Sequence, residues 1–170
     1  MNTFSTTQPT TTNNIARPAA IIAVLLGIIT IIWVVTSSGL LSNRSNELSN
    51  AVTTWESEAI DSYTFDLQVS CFCFPDMTRA VTIVVADNAV QSVTYVDDGS
   101  AADPTLFAAY STVDKLFERL ENAQAENPVT FDVTFDAKYG APQSVFIDID
   151  EMMADEEIMF TVSNFEVLSE

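Results

Sequence analysis

Residues 62–72 read SYTFDLQVSCF. Tyr63, Phe65, Leu67, Val69 and Cys71 fall on one side of an extended chain, and Thr64, Asp66, Gln68 and Ser70 on the other. A strand has a side-chain period of two, so this alternation predicts a strand with one buried face and one wet face. Working outward, Arg79 to Ala86 is rich in Val and Ile and reads as a second strand. Asp87-Asn88 is turn chemistry, and Val90 to Val96 returns as a third strand. Asp97-Asp98-Gly99-Ser100 closes this run.

The C-terminal half uses the same grammar. Val129 to Asp136 alternates, with Val129, Phe131, Val133 and Phe135 directed inward. Tyr139-Gly140-Ala141-Pro142 is a turn, and Gln143 to Asp150 is a strand with Val145, Ile147 and Ile149 on one face. The acidic segment EMMADEE follows at 151–157, and Glu157 to Val167 is the last strand, with Ile158, Phe160 and Val162 on one face. YTFDLQV at 63–69 and FDVTFDA at 131–137 suggest a weak internal repeat, which chance likeness between strands explains equally well.

Two stretches have helical spacing instead. Between Arg44 and Ile60, Leu48, Val52, Trp55 and Ala59 fall on one face, with Ala51 beside them. Ser111 and Thr112 are candidate N-caps, and Asp114 lies in the first turn, where its charge favours the helix dipole. Val113, Leu116, Phe117, Leu120 and Ala123 then line one face until Asn127-Pro128 stops the helix. The loop from Pro104 to Tyr110 offers Leu106, Phe107 and Tyr110 as packing points. The expected fold is α+β, an antiparallel sheet with two helices on one face in the order α-βββ-α-βββ.

The N-terminal part is of another kind. Residues 1–17 are rich in Thr, Asn and Ser and read as a disordered tail. Residues 18–41 contain the apolar run AAIIAVLLGIITIIWVV at 19–35. Roughly 23 uncharged residues at 1.5 Å each span a bilayer core, which predicts a transmembrane helix with Pro18 at its start and Trp33 near an interface. A cleaved signal peptide and a buried helix fit this segment less well, the first because its apolar region is too long. The expected address is the bacterial cytoplasmic membrane, single-pass, N-terminus inside, with an acidic domain at 42–170 outside.

Composition restricts the chemistry. The 170 residues carry 6 Lys+Arg against 24 Asp+Glu, a formal charge of −18. Nucleic-acid phosphates need clustered cations, so no nucleic-acid partner is expected. There is no histidine, which excludes Ser-His-Asp triads and His-ligated zinc or haem within this chain. No glycine-rich phosphate loop and no G-x-S-x-G elbow occurs. No enzyme and no cofactor is expected.

Two constellations remain. Cys71 and Cys73 share a strand face, where Cβ atoms lie roughly 6–7 Å apart, beyond the about 3.5–4.5 Å of a disulfide. A Cys71–Cys73 bond therefore needs a bend, which Pro75 makes plausible; free buried thiols, an intermolecular bond and redox activity are the alternatives. Asp148, Asp150, Asp155 and Glu156 are candidate oxygen ligands for Ca²⁺, although their spacing is not that of an EF-hand loop. The alternative for these acids is a solvated hairpin end.

Several residues in order resemble an uncharacterised bacterial secreted or membrane-anchored family catalogued only as a domain of unknown function, 6174. They are Trp55, Ile60, Tyr63 and Phe65; Cys71-Phe72-Cys73 with Pro75; Thr112-Val113-Asp114 with Leu116-Phe117; Asp136, Tyr139-Gly140 and Pro142; Asp148; and Asp155-Glu156. Phe135 and Asp87-Asn88 depart from the family pattern. The resemblance implies an extracytoplasmic domain and no activity. The leading functional expectation is a membrane-anchored, non-enzymatic binding or interaction module with an unknown protein partner, such as an accessory subunit of an envelope complex. It predicts an exposed apolar patch on the sheet or on the Pro104–Tyr110 loop. The alternatives are a Ca²⁺-binding acidic domain and a thiol–disulfide protein.

Overall fold

The computed structural model describes residues 46–153 and 155–168. The chain divides into two units, 1–41 and 42–170, and every described residue belongs to the second. Helix α1 covers described residues 46–58. Then come β1 (Tyr63–Ser70), the single turn α2 (Pro75–Thr78), β2 (Val81–Ala86) and β3 (Ala89–Tyr95). A 3-10 helix (Pro104–Tyr110), α3 (Val113–Ala125), β4 (Thr130–Phe135), β5 (Pro142–Asp148) and β6 (Ile158–Val167) complete the domain.

The six strands form one sheet in the order β3-β2-β1-β6-β5-β4, every pair antiparallel. Each half is a three-stranded meander, and the first strand of the chain lies beside the last. On β1, Tyr63, Phe65, Leu67 and Val69 are each no more than 2% exposed. Val81, Ile83 and Val85 of β2 extend this surface, as do Phe160 of β6 and Val145 and Ile147 of β5. The two-residue link Asp87-Asn88 has φ of 52° and 60°, the doubly left-handed backbone of a tight hairpin turn.

The helices cover this one face. Helix α1 buries Leu48, Ala51 and Trp55 and ends at Ala59, which has φ 48° and is exposed. Thr112 caps α3, its hydroxyl oxygen accepting from the Lys115 N–H at 3.2 Å. Val113, Leu116, Phe117, Leu120 and Ala123 are the buried residues of α3. A helix of 13 residues is marginal alone, so this apolar stripe on the sheet is what holds α3 in place.

Several expectations need correction. The two-helix order α-βββ-α-βββ becomes α-β-α-ββ-α-βββ, with a 3-10 helix before α3. The Pro104–Tyr110 segment is that 3-10 helix, capped by Asp103 and burying Phe107 and Tyr110, so it presents no apolar patch there. Val129 is 48% exposed rather than inward; it lies just before β4, which is an edge strand. The repeat is not one in space, since β1 is central and β4 marginal.

The largest correction concerns the membrane. The predicted tail at 1–17 and span at 18–41 lie outside the described residues. Among the described residues no helix is long and apolar enough to cross a membrane. The longest have 13 residues, about 20 Å against a core of about 30 Å. The structure therefore supports a six-stranded antiparallel sheet with a few helices. It does not support the single-pass architecture or the bacterial-membrane address.

Candidate functional site

At one end of the sheet, β1 stops at Ser70, its last partner being Met159 of β6. Residues 71–73 bend, and Cys71 and Cys73 are joined by a disulfide with Cα atoms 5.3 Å apart. Pro75 opens α2, and Phe74 before it is extended (φ −63°, ψ 144°), the conformation a following proline favours. The period-two reading fails here because the strand ends with its last partner, so Cys71 no longer follows the core face and is exposed. Phe72 and Phe74 are 93% and 79% exposed.

The β5–β6 connection lies at the same end. Met152 is 93% and Met153 56% exposed there. Between the two segments lies a groove of about 280 Å³ with Phe72, Phe146 and Met159 among its apolar walls and Asp155 and Glu157 among its polar ones. Phe146 and Met159 face each other across β5 and β6 on the side of the sheet opposite the helices. The sequence predicts an apolar patch on the sheet or on the Pro104–Tyr110 loop but singles out none of these residues for it. The signal for it was Met152-Met153 within an acidic run, too short to form a core face of its own.

The four predicted cation ligands sit beside this groove but do not form a ligand set. The Glu156 carboxylate accepts from the Ile149 and Asp150 N–H groups at 3.2 and 2.7 Å. Asp150 accepts from the Met152 N–H at 2.9 Å. Asp155 has φ 74° and lines the groove. Among the described residues no group of three acidic, cysteine or histidine side chains is placed to hold a metal ion. Glu156 and Asp150 instead satisfy N–H groups of a loop that has no strand partner.

Asp148 is half-buried at the end of β5. Burial holds its carboxyl above the ordinary value of 3.8, and the negative charge of Glu156 adds to this. The folded protein thus binds a proton more readily than the unfolded chain, and stability falls as pH rises through that window. Asp148→Asn is expected to raise the melting temperature at pH 7. The gain should vanish below pH 3.8, where the acid is neutral in both states. Melting curves of both proteins from pH 3 to 7 test this, and an equal gain at every pH contradicts it.

The opposite end of β1 holds an aromatic joint. Trp55 meets Tyr63 edge-on, with centroids 5.3 Å apart at 89°, and Phe165 at 6.0 Å. Its indole N–H donates to Asp114 at 2.9 Å, and the Tyr63 hydroxyl accepts from the Val113 N–H at 3.0 Å. Both bonds meet the start of α3, where free N–H groups and the helix dipole favour oxygen partners and negative charge. Burial pushes the Tyr63 phenol up to about 12, so it keeps its proton at neutral pH and acts as a structural strut. Nearby, Asp136 accepts from the Lys138 and Tyr139 N–H groups at 2.9 and 2.7 Å. It shapes the turn that brings Gly140 against α1.

The motif residues thus have two addresses. Trp55, Tyr63, Val113, Asp114, Asp136, Tyr139 and Gly140 build the joint between helices and sheet. Cys71, Phe72, Cys73 and Pro75, together with Asp148, Asp155 and Glu156, build the groove end. In comparison with known proteins, no curated protein and no solved structure gives a match. One family model does match, over residues 47–167, a span that contains α1 apart from its first described residue, the whole sheet, the aromatic joint and the groove. The chain accordingly belongs to the family described as "Family of unknown function (DUF6174)".

Proposed function

We propose that this domain is a non-enzymatic interaction module whose contact surface is the groove end of the sheet. The observation that carries this reading is the exposure of Phe72, Phe74 and Met152 together at that end, at 93%, 79% and 93%. Water disfavours such apolar exposure, and contiguous patches of this kind mark sites of association. The disulfide and Pro75 restrict the loop that carries the two phenylalanines. A restricted loop has less freedom to lose when a partner binds. A thiol–disulfide role is less well supported: the acids around the groove would raise a thiol pKa, and Arg79, the nearest cation in sequence, is bonded to Asp97 and Asp98.

Site-specific photo-crosslinking in cells tests the reading. A benzophenone side chain at Phe72 is expected to yield a discrete protein adduct, whereas one at exposed Ser92 on edge strand β3 should not. Serine at Phe74 and Met152 should remove the adduct and leave the melting temperature unchanged, because both side chains are largely in solvent. Equal adducts from Phe72 and Ser92, or an adduct indifferent to those serines, would remove the basis of the proposal.

A further inference from the structure

We infer that the groove beside Phe72 docks a cationic amphipathic segment of a partner protein, with large apolar side chains on one face and Lys or Arg flanking them. This inference rests on reading the domain as an interaction module and names the chemistry of what it takes.

The apolar half of the recognition comes from Phe72, Phe146 and Met159 in the groove and from exposed Phe74, Met152 and Met153 on the two segments at the same end of the sheet. Methionine is unbranched and polarizable, so Met152, Met153 and Met159 can repack around side chains of different shape. That suits an apolar stripe better than a single small ligand.

The charged half is one-sided. Asp155 and Glu157 line the groove itself, and Asp150, Glu151 and Glu156 belong to the same connection. Among the described residues no ion pair reaches any of them. The four cations among the described residues are engaged elsewhere: Arg79 with Asp97 and Asp98, Lys115 with Glu118, Arg119 over the Tyr110 ring and Lys138 over the Tyr139 ring. Among the described residues the groove end therefore holds unpaired negative charge around exposed apolar surface.

This combination selects among occupants. A second copy of the chain would bring the same acids against these, and like charges brought together oppose association. Nucleic acid and anionic lipid meet the same repulsion. A cationic segment lowers it, gaining Coulomb attraction at the rim while its apolar face covers the phenylalanines and methionines. Attraction at the rim sets approach and specificity, and apolar burial sets how long the complex lasts.

The test uses the full-length chain and two dye-labelled synthetic peptides, each with leucine along one helical face. One carries lysine on the other face and its counterpart carries glutamate. Binding is read by fluorescence anisotropy at low and at physiological salt. The lysine peptide is expected to bind and to weaken as salt shortens the screening length from about 30 Å at 0.01 M to about 8 Å at 0.15 M. Phe72→Ser with Phe74→Ser should weaken it at least about tenfold, about 1.4 kcal/mol. Glu151→Lys with Glu157→Lys should do the same and admit the glutamate peptide. All four positions are exposed, so wild-type melting temperatures establish folding, and if one pair fails to fold the other decides.

Lysine-peptide binding that ignores the serine pair is charge attraction alone and overturns the inference. Equal binding of both peptides to the wild type also overturns it, as does Phe72-dependent binding to phosphatidylcholine vesicles, which assigns the groove to a lipid surface. A partner crosslinked at Phe72 with no lysine-peptide binding overturns the cationic assignment and leaves the interaction reading standing. Absence of both overturns both.

Discussion

Gly140→Ala is expected to destabilise the domain by about 2–5 kcal/mol. Gly140 has φ 77°, a left-handed backbone that costs an L-residue about 1–2 kcal/mol. A Cβ added there would lie 2.4 Å from the Ala51 carbonyl oxygen and 3.1 Å from the Thr54 Cβ. Both are on α1, and the nearer atom is helix backbone, which cannot rotate away. The helix must shift from the sheet, an overpacking strain of about 1–3 kcal/mol. Gly99→Ala separates the two costs, since Gly99 has φ 69° with nothing within 4 Å of the added Cβ. Urea midpoints at unchanged slope give the comparison. Equal losses at Gly99 and Gly140 would mean that the close approach of turn and helix has no energetic weight.

Trp55→Ala is expected to cost about 3–5 kcal/mol, against a total for such domains of about 5–15 kcal/mol. Trp55 is 5% exposed and joins four elements: α1, which carries it; β1, through Tyr63; β6, through Phe165; and α3, through Asp114. Alanine removes the ring and leaves Asp114 without its indole donor. Trp55→Phe isolates the second effect. It keeps most of the buried ring and loses the N–H, at an expected cost of about 1–3 kcal/mol. A double-mutant cycle with Asp114→Ala should return a coupling of about 0.5–3 kcal/mol. A coupling near zero would mean that the indole–carboxylate bond does not hold α3 to the sheet.

These two positions show what could be read before folding and what could not. Trp55 and Gly140 were recognisable as an anchor and a turn residue. Their meeting through α1 was not, because Ala51 and Gly140 are far apart in sequence and nothing local links them. The candidate site was legible in pieces. Cys71-Phe72-Cys73 and the 151–157 acids stood out, but each was read by its own chemistry, a disulfide for one and Ca²⁺ ligands or a solvated hairpin end for the other. The fold sets them side by side around Phe146 and Met159, where their shared property is exposed apolar surface with negative charge at its rim.

Local pattern settled the local elements. Period-two alternation over 62–72 marked the strand that forms at Tyr63–Ser70, and period-3.6 spacing between a Ser111 or Thr112 cap and Asn127-Pro128 marked the helix that forms at Val113–Ala125. Both follow from neighbours a few residues apart, where sterics and hydrogen bonds act directly. Strand order is a different kind of property. That β1 lies against β6, with Tyr63 opposite Val167, depends on closing a loop of most of the domain. Only the joint burial of both strands under α1 and α3 makes that closure favourable. The end of β1 was decided at the same level. Cys71 and Phe72 continue its alternation in sequence, yet the strand stops at Ser70, where its last partner Met159 stands. Without a paired strand beyond that point, the chain turns outward and leaves Phe72 in solvent.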